Sequence, residues 1–301
     1  MRILITGVSG ALGSYVAESF LDHDQFGTRA EIFGFSRSTA QATGYTSVNA
    51  DLLDQTETDA LLRDIKPDIV VHAAWITEHG TYWESDENRA WSDASIALAE
   101  TLADTSDAHL IFAGTCAEYS WTNTPLEAKI EGHHPATLYG REKLRVTKHL
   151  MAMTEDKRLS ATAARLFFPF SERENPSRVT TYAVSELLSN GRVELRSADL
   201  HRDFCHTRKI ADAVTQMAAN RTTGLFNVCS GHPMHLGQMI DRIALALGYE
   251  NAVSWPESEE EDVLVGICNL PNSPTLYSAR SFENDLVQFA KAIASRLKTR
   301  A

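Results

Sequence analysis

The sequence predicts an α/β protein, a doubly wound parallel sheet with a smaller, mostly helical second domain. Three observations carry this reading. Short aliphatic runs alternate with longer amphipathic ones as far as residue 168. Those runs are almost continuously apolar, as strands covered on both faces must be. A glycine-rich turn joins the first strand directly to the first helix. Beyond residue 168 the alternation loosens, so the expected limits are 1–167 for the sheet domain, with 203–230 returning to it, and 168–301 for the second domain.

The elements follow in order. "RILIT" (2–6), "AEIFGF" (30–35), "DIVVHAA" (68–74), "HLIFAG" (109–114) and "ATAARLFF" (161–168) read as strands. Helical spacing of apolar residues covers 12–21, 54–65, 84–105 and 138–155. "FPFSERENPSR" (168–178) carries two prolines and many charges and reads as an excursion from the sheet. A helix near 179–189, a short strand 193–196, a helix 207–219, the strand 225–228 and a helix 234–247 follow.

Composition narrows the function. The 301 residues are 43% hydrophobic and 23% charged, with 40 acidic against 28 basic side chains and a net charge of −12. Such a surface repels phosphate backbones and shows no basic patch, which argues against a nucleic-acid partner. The acidic run Glu257, Glu259, Glu260, Glu261, Asp262 reads as a solvated loop. No apolar stretch approaches the ~18 residues of a membrane span. "MRILITG" is already a strand, leaving no room for a signal peptide, so a cytoplasmic protein is expected. Cys116, Cys205, Cys229 and Cys268 are scattered, as free thiols of a reducing compartment are, and neither they nor the histidines have metal-ligand spacing.

"ITGVSGALGSYVAESFL" places Gly7, Gly10 and Gly13 three apart between a strand and a helix. Glycines permit the tight turn and the close approach of a pyrophosphate, and the helix start offers it unpaired N–H groups and a positive dipole end. Gly7, Ser9, Gly10, Ala11, Leu12 and Gly13 are therefore candidate cofactor contacts. A carboxylate that would hold an adenine-ribose 2′-hydroxyl is expected ~20 residues on. That place reads Ser36, Arg37, Ser38. A guanidinium between hydroxyls suits a 2′-phosphate, which favours NADP(H), with NAD(H) possible.

Tyr139 and Lys143 lie four apart on one helix face, and Thr115 ends a strand 24 positions earlier. Reducing a ketone with hydride leaves an oxyanion that needs a proton. A phenol whose pKa is lowered by a nearby ammonium can supply it, and the threonine hydroxyl can hold the oxygen. These three are the candidate catalytic residues.

"TGVSGALG", Thr115, "YGREK", "DIVVHAA" and "HRDFCHTRKIADAV" together resemble the extended short-chain dehydrogenase/reductases that act on nucleotide sugars, over about residues 1–250. The resemblance implies a Rossmann-type cofactor domain and a substrate domain. It further implies that Asp51 and Leu52, after the third strand, meet the adenine, that Ala73 and Ala74 meet the cofactor backbone, and that Phe168 and Pro169 lie beside the nicotinamide. Lys143 would reach the nicotinamide ribose. On the substrate side it implies Trp75, Thr115, Glu118, Arg178 and Arg202, with Arg202 on the diphosphate and Glu118 either on a sugar hydroxyl or ordering its own loop. Asn88 matches a position held by Asn for structural reasons.

Within that family the residues after the Ser/Thr report the reaction. Dehydratases carry an Asp-Glu pair there, where this chain has Cys116-Ala117, and the thiol falls one position early for an epimerase-reductase cysteine. Cys116 is then a packed small side chain. Two reactions remain: NADPH-dependent reduction of an NDP-4-keto-6-deoxy sugar, which Arg37 favours, and 4-epimerisation on tightly held NAD. A non-catalytic NADP(H)-binding regulator is a further alternative, but such proteins lose the Tyr or Lys. Relatives often have Asn where Phe168 stands. The family also implies a homodimer through the helices near 84–105 and 138–155.

Overall fold

The computed structural model describes residues 1–23, 26, 30–37, 44–76, 78, 80–122, 124–196, 200–255, 262–271 and 276–300. Seven parallel strands make one sheet: β1 (Arg2–Thr6), β2 (Glu31–Ser36), β3 (Thr46–Asn49), β4 (Ile69–His72), β5 (His109–Thr115), β6 (Ser160–Leu166) and β11 (Gly224–Val228). Their spatial order is β3-β2-β1-β4-β5-β6-β11. Order therefore reverses between β1 and β4, which pair in register from Ile3 opposite Ile69 to Thr6 opposite His72. In open parallel sheets ligands bind outside the carboxyl ends of the strands at such a reversal.

Helices cover both faces. On one lie α2 (Gln55–Ile65), α3 (Glu87–Thr105) and α4 (Leu138–Glu155), packed over a core that includes Leu4, Val70, Leu98, Leu102, Leu110, Phe112, Val146 and Leu150. On the other, α1 (Ala11–Asp22) packs beside α6 (Thr207–Ala219). Because β1, β4, β5 and β6 are buried on both faces, their sequences read as apolar runs. Caps set the helix ends where the sequence provides them. The Asp54 carboxylate accepts the Glu57 N–H at the start of α2, and Thr137 accepts the Gly140 N–H at the start of α4.

The chain divides into two compact units. The first comprises Met1–Ser120, Ala128–Leu166 and Thr207–Val228, and contains the whole seven-stranded sheet. The second comprises Trp121–Glu127, Phe167–His206 and Cys229–Ala301. It holds β7 (Pro169–Phe170), α5 (Val179–Asn190), β8 (Val193–Glu194), β9 (Leu200–Arg202), β10 (Cys205–His206), β12 (Met234–His235), α7 (Leu236–Ala246), β13 (Val253–Ser254), β14 (Asp262–Leu264) and α8 (Ala279–Arg300). Its strands pair as β12-β9-β14, β10-β7 and β13-β8, while α5, α7 and α8 pack on one another.

Candidate active site

At the reversal point, β1 ends in a turn that only glycine allows. Gly7 has φ +70°, and a Cβ there would come within 2.8 Å of the Ala74 backbone. At Gly13 a Cβ would run into the Gly7 carbonyl. Gly10 caps α1 without any side-chain hydrogen bond, and Ser9 and Gly10 are exposed. The N–H groups of Ala11, Leu12 and Gly13 thus belong to an uncapped first turn, with no intrahelical carbonyl to meet. A cradle closed to side chains and lined by helix N–H groups fits the pyrophosphate of a dinucleotide.

The opposite wall is held by polar side chains. The Thr6 hydroxyl accepts the Ala74 N–H at 3.2 Å and lies 2.7 Å from His72 Nδ1. His72 Nε2 lies 2.8 Å from Ser95 Oγ, whose own proton goes to the Trp91 carbonyl. Ser95 therefore accepts from Nε2–H, and Thr6 donates to Nδ1. Burial, aided by the Lys143 charge, pushes His72 down to about 3, so it stays neutral in this chain. His72 and Thr6 fix the Ala73-Ala74 backbone against the glycine turn, a role that sequence reading did not assign to either.

Beyond β2, Ser36 is buried and Arg37 exposed, with the guanidinium 6.0 Å from the Trp91 ring; Ser38 lies outside the described residues. Asp51 is partly exposed and accepts the Leu53 N–H. Leu52 departs from expectation: its side chain is in the core and leaves an adenine only its backbone.

Thr115, Tyr139 and Lys143 come together at the end of β5. Thr115 caps a short 3-10 turn, Cys116–Glu118, its hydroxyl accepting the Ala117 N–H at 3.2 Å. The Thr115 side chain lies close enough to the Tyr139 phenol to lower its pKa. One helical turn on, Lys143 Nζ donates to the Ala113 carbonyl at 2.8 Å and sits 3.9 Å from the centre of the Trp75 ring and 4.5 Å from that of Phe112. Burial lowers the lysine to about 7. The tyrosine moves opposite to expectation. Burial first, then the Tyr82 phenol, raises it well above its ordinary value, against the lowering effect of the Thr115 side chain. In the chain alone burial holds Tyr139 as an acid, while the Lys143 head is engaged by a carbonyl and an indole face.

Sequence reading missed the aromatic box around that phenol. Tyr82 and Trp83 stack on each other at 4.5 Å and meet the Tyr139 ring edge-on at 5.0 and 5.7 Å. Trp83 also accepts the Tyr139 N–H through its carbonyl at 3.0 Å. Trp75, expected on the substrate, is instead a buried support: its indole N–H donates to Asn88 Oδ1 at 2.8 Å, and its ring carries the Lys143 head. Asn88, fully buried, also donates to the Tyr82 and Ser85 carbonyls, which gives the asparagine its structural purpose.

Glu118 also departs from one of its two expectations. Its side chain has no exposed surface, so it cannot reach a sugar hydroxyl. It orders the loop: Oε1 accepts the Thr115 N–H at 2.9 Å, and Oε2 pairs with buried Arg165 Nε at 2.8 Å. Cys116 is buried, 7% exposed, as its reading as a packed side chain requires.

In the second unit, Arg202 is almost wholly buried. Its guanidinium donates to the Asp262 carboxylate at 2.6 Å and the Asp262 carbonyl at 2.5 Å, with the Phe168 ring 5.3 Å away. Asp262 is solvent-exposed, as expected, but belongs to strand β14 and not to a loop, while Glu257, Glu259, Glu260 and Glu261 lie outside the described residues. Phe168 has φ +26°, a backbone state costly for a phenylalanine and easier for an Asn. Pro169 opens β7, and Arg178 lies 3.6 Å from Glu174 and donates to the Pro169 carbonyl. All four cysteines are buried free thiols. Among the described residues no group of His, Cys, Asp and Glu could hold a metal ion, and no helix is long and apolar enough to cross a membrane.

Comparison with known proteins agrees with this geometry. The NAD dependent epimerase/dehydratase family matches residues 3–229. A probable UDP-glucuronate 4-epimerase of Rhizobium meliloti (strain 1021) is 21% identical over 240 residues, 72% of this chain and 68% of its own. Methionine adenosyltransferase 2 subunit beta of Bos taurus is 28% identical over 229 residues, 73% of this chain and 63% of that protein. Among solved structures, the dTDP-glucose 4,6-dehydratase of Bacillus anthracis in complex with NAD superposes with TM-score 0.81 at 16% identity, covering 98% of this chain and 97% of that one. The UDP-N-acetylglucosamine 4-epimerase of Methanobrevibacter ruminantium M1, in complex with UDP-N-acetylmuramic acid, gives TM-score 0.81 at 20% identity and 98% of both chains. With its glycine turn, its Thr-Tyr-Lys group and a match over most of its length, the chain belongs to the NAD dependent epimerase/dehydratase family.

Proposed function

We propose that the chain is a nucleotide-sugar 4-epimerase that works through a transient 4-ketone. The observation that carries the reading is the Thr115–Tyr139–Lys143 group with buried Cys116 and Ala117 beside it. Hydride chemistry at one carbon is provided for, while the acid-base pair that eliminates water in dehydratases is missing from the Thr115 turn. A bound nicotinamide dinucleotide would supply the hydride acceptor and donor. The chain's own part is positional and protonic. The first turn of α1 binds the pyrophosphate, Arg37 stands at the adenine ribose, and Ala73 and Ala74 form the facing backbone. Tyr139 moves the proton at the C4 oxygen, Thr115 shares that oxygen, and Lys143 supplies the charge that governs the phenol. The first unit would then bind the cofactor and the second, with Arg202, Arg178 and Phe168-Pro169, the nucleotide sugar. Intact Tyr139 and Lys143 weigh against a purely regulatory role.

Arg37 favours a second reading, NADPH-dependent reduction of a 4-keto-6-deoxy sugar, since no carboxylate follows β2 to repel a 2′-phosphate. The experiment is to incubate the chain with UDP-glucose, UDP-glucuronate, UDP-N-acetylglucosamine and dTDP-4-keto-6-deoxyglucose, with NAD(H) and NADP(H), and follow products by NMR. Epimerisation without net cofactor turnover supports the proposal. Stoichiometric NADPH oxidation with a keto sugar replaces it by the second reading, and loss of water to a 4-keto-6-deoxy product refutes both.

A further inference from the structure

The Arg202 guanidinium is held on three sides. The rings of Phe168 and Trp121 lie 5.3 and 6.0 Å from its central carbon, and its edge donates to Asp262 twice, through the carbonyl at 2.5 Å and the carboxylate at 2.6 Å. A further bond reaches the His201 carbonyl at 3.2 Å. The two partners differ sharply in exposure: the Arg202 side chain is 6% exposed and the Asp262 side chain 50%. A dry cation is thus neutralised by a wet anion at the surface end of strand pair β9-β14, and Trp121 beside it is an exposed indole. An anion arriving from solvent would meet this pair at the carboxylate. A phosphate oxygen makes the same charge-assisted bonds to a guanidinium edge as a carboxylate does.

We infer that Asp262 is an internal counter-anion, occupying on Arg202 the position that a nucleoside diphosphate takes on binding. The inference rests on the reading of Arg202 as the diphosphate arginine. Asp262 keeps the buried cation paired in the empty protein, where an unpaired buried charge would be destabilising. It also sets a threshold for entry. A ligand must replace the carboxylate, so a diphosphate, with more charge and more acceptor oxygens, is selected over a monophosphate. The strand carbonyl of Asp262 stays on Arg202 throughout and keeps the guanidinium aimed.

The test is calorimetric titration of the full chain with UDP, dTDP, GDP, UMP and inorganic pyrophosphate, for wild type, Asp262→Asn, Asp262→Glu and Arg202→Met. Asp262→Asn keeps the shape and removes the competing charge, so it should bind the best diphosphate about tenfold or more tightly than wild type and lose part of the preference over UMP. Asp262→Glu should stay near wild type, and Arg202→Met should bind worst. Should the Asn variant fail to fold by circular dichroism, Asp262→Ala, which retains the backbone carbonyl, serves in its place. Unchanged or weaker binding by the neutral variants, with Arg202→Met still weakened, overturns the counter-anion role and leaves the diphosphate reading standing. Wild-type affinity in Arg202→Met, or no binding by any variant, removes both.

Discussion

Replacing Glu118 by Ala should destabilise the chain by about 3–5 kcal/mol, the usual cost of stripping one partner from a buried ion pair. Neither side chain of the Glu118–Arg165 pair has exposed surface, so water cannot take over from the lost carboxylate without opening the packing around β6. Arg165 would keep the Lys129 carbonyl at 2.6 Å and the Tyr119 ring 4.3 Å away, but no counter-charge. The Thr115 N–H would lose its 2.9 Å acceptor as well. An orphaned buried donor costs about 1–3 kcal/mol alone, and since both losses relax through the same turn, the sum falls short of additive. Glu118→Gln, which keeps the shape, should cost less than Ala. Glu118→Leu combined with Arg165→Met should recover most of the loss, because the charge leaves with its partner. Urea unfolding at pH 7, followed by tryptophan fluorescence, gives the three values. A loss below about 1 kcal/mol for Glu118→Ala, or a double variant no better than the single ones, would show that the pair does not hold the turn.

Other outcomes follow from the same geometry. Tyr139→Phe should lower turnover about 10²–10⁴-fold with cofactor affinity kept, while Cys116→Ser should change it little; abolished turnover in the serine variant would make the thiol a proton carrier. Arg37→Asp should weaken NADPH far more than NADH, as read by fluorescence titration, and equal losses would leave Arg37 no part in cofactor choice. Lys143 is lowered from 10.5 to about 7, so below pH 7 both folded and unfolded states carry its proton and the folded state bears the full cost of a buried charge. Between pH 7 and 10.5 the unfolded state binds more protons, and stability rises with pH. Lys143→Met should therefore raise the melting temperature most below pH 7, with the gain fading toward pH 10; a pH-independent difference would contradict the shift. The chain should sediment as a dimer through α3 and α4, which pack side by side, and a monomer mass at micromolar concentration would refute this.

The sheet was legible because its central strands are buried on both faces, so β1, β4, β5 and β6 announce themselves as apolar runs. Edge strand β3, "TSVN", is largely exposed and has no such run. In the second unit the short strand read at 193–196 is β8, Val193–Glu194, whereas β7, β9 and β12 are too short for any periodicity. In the candidate site, Gly7, Gly13, Thr115, Tyr139 and Lys143 were readable because their chemistry depends on local spacing. Glu118 was not, because its partner Arg165 lies 47 residues away. Nor was Asp262, paired with Arg202 from 60 residues off inside an acidic stretch. Tyr82 and Trp83 sit on an irregular segment before α3, where no repeat marks which way a ring faces.

The three passages of the chain through its second unit bear on how it emerges from a ribosome. After β5 is made, residues 121–127 depart before β6 is available, and the last strand of the sheet, β11, appears only at residues 224–228. Until then β6 has one unpaired edge, and α6, which shields the face beside α1, has only just been translated. A released chain ending near residue 170 would display β6 as an apolar edge strand, the kind that recruits other chains. Neither unit corresponds to one continuous stretch of coding sequence, so trimming either end cannot yield the other half as a free-standing piece.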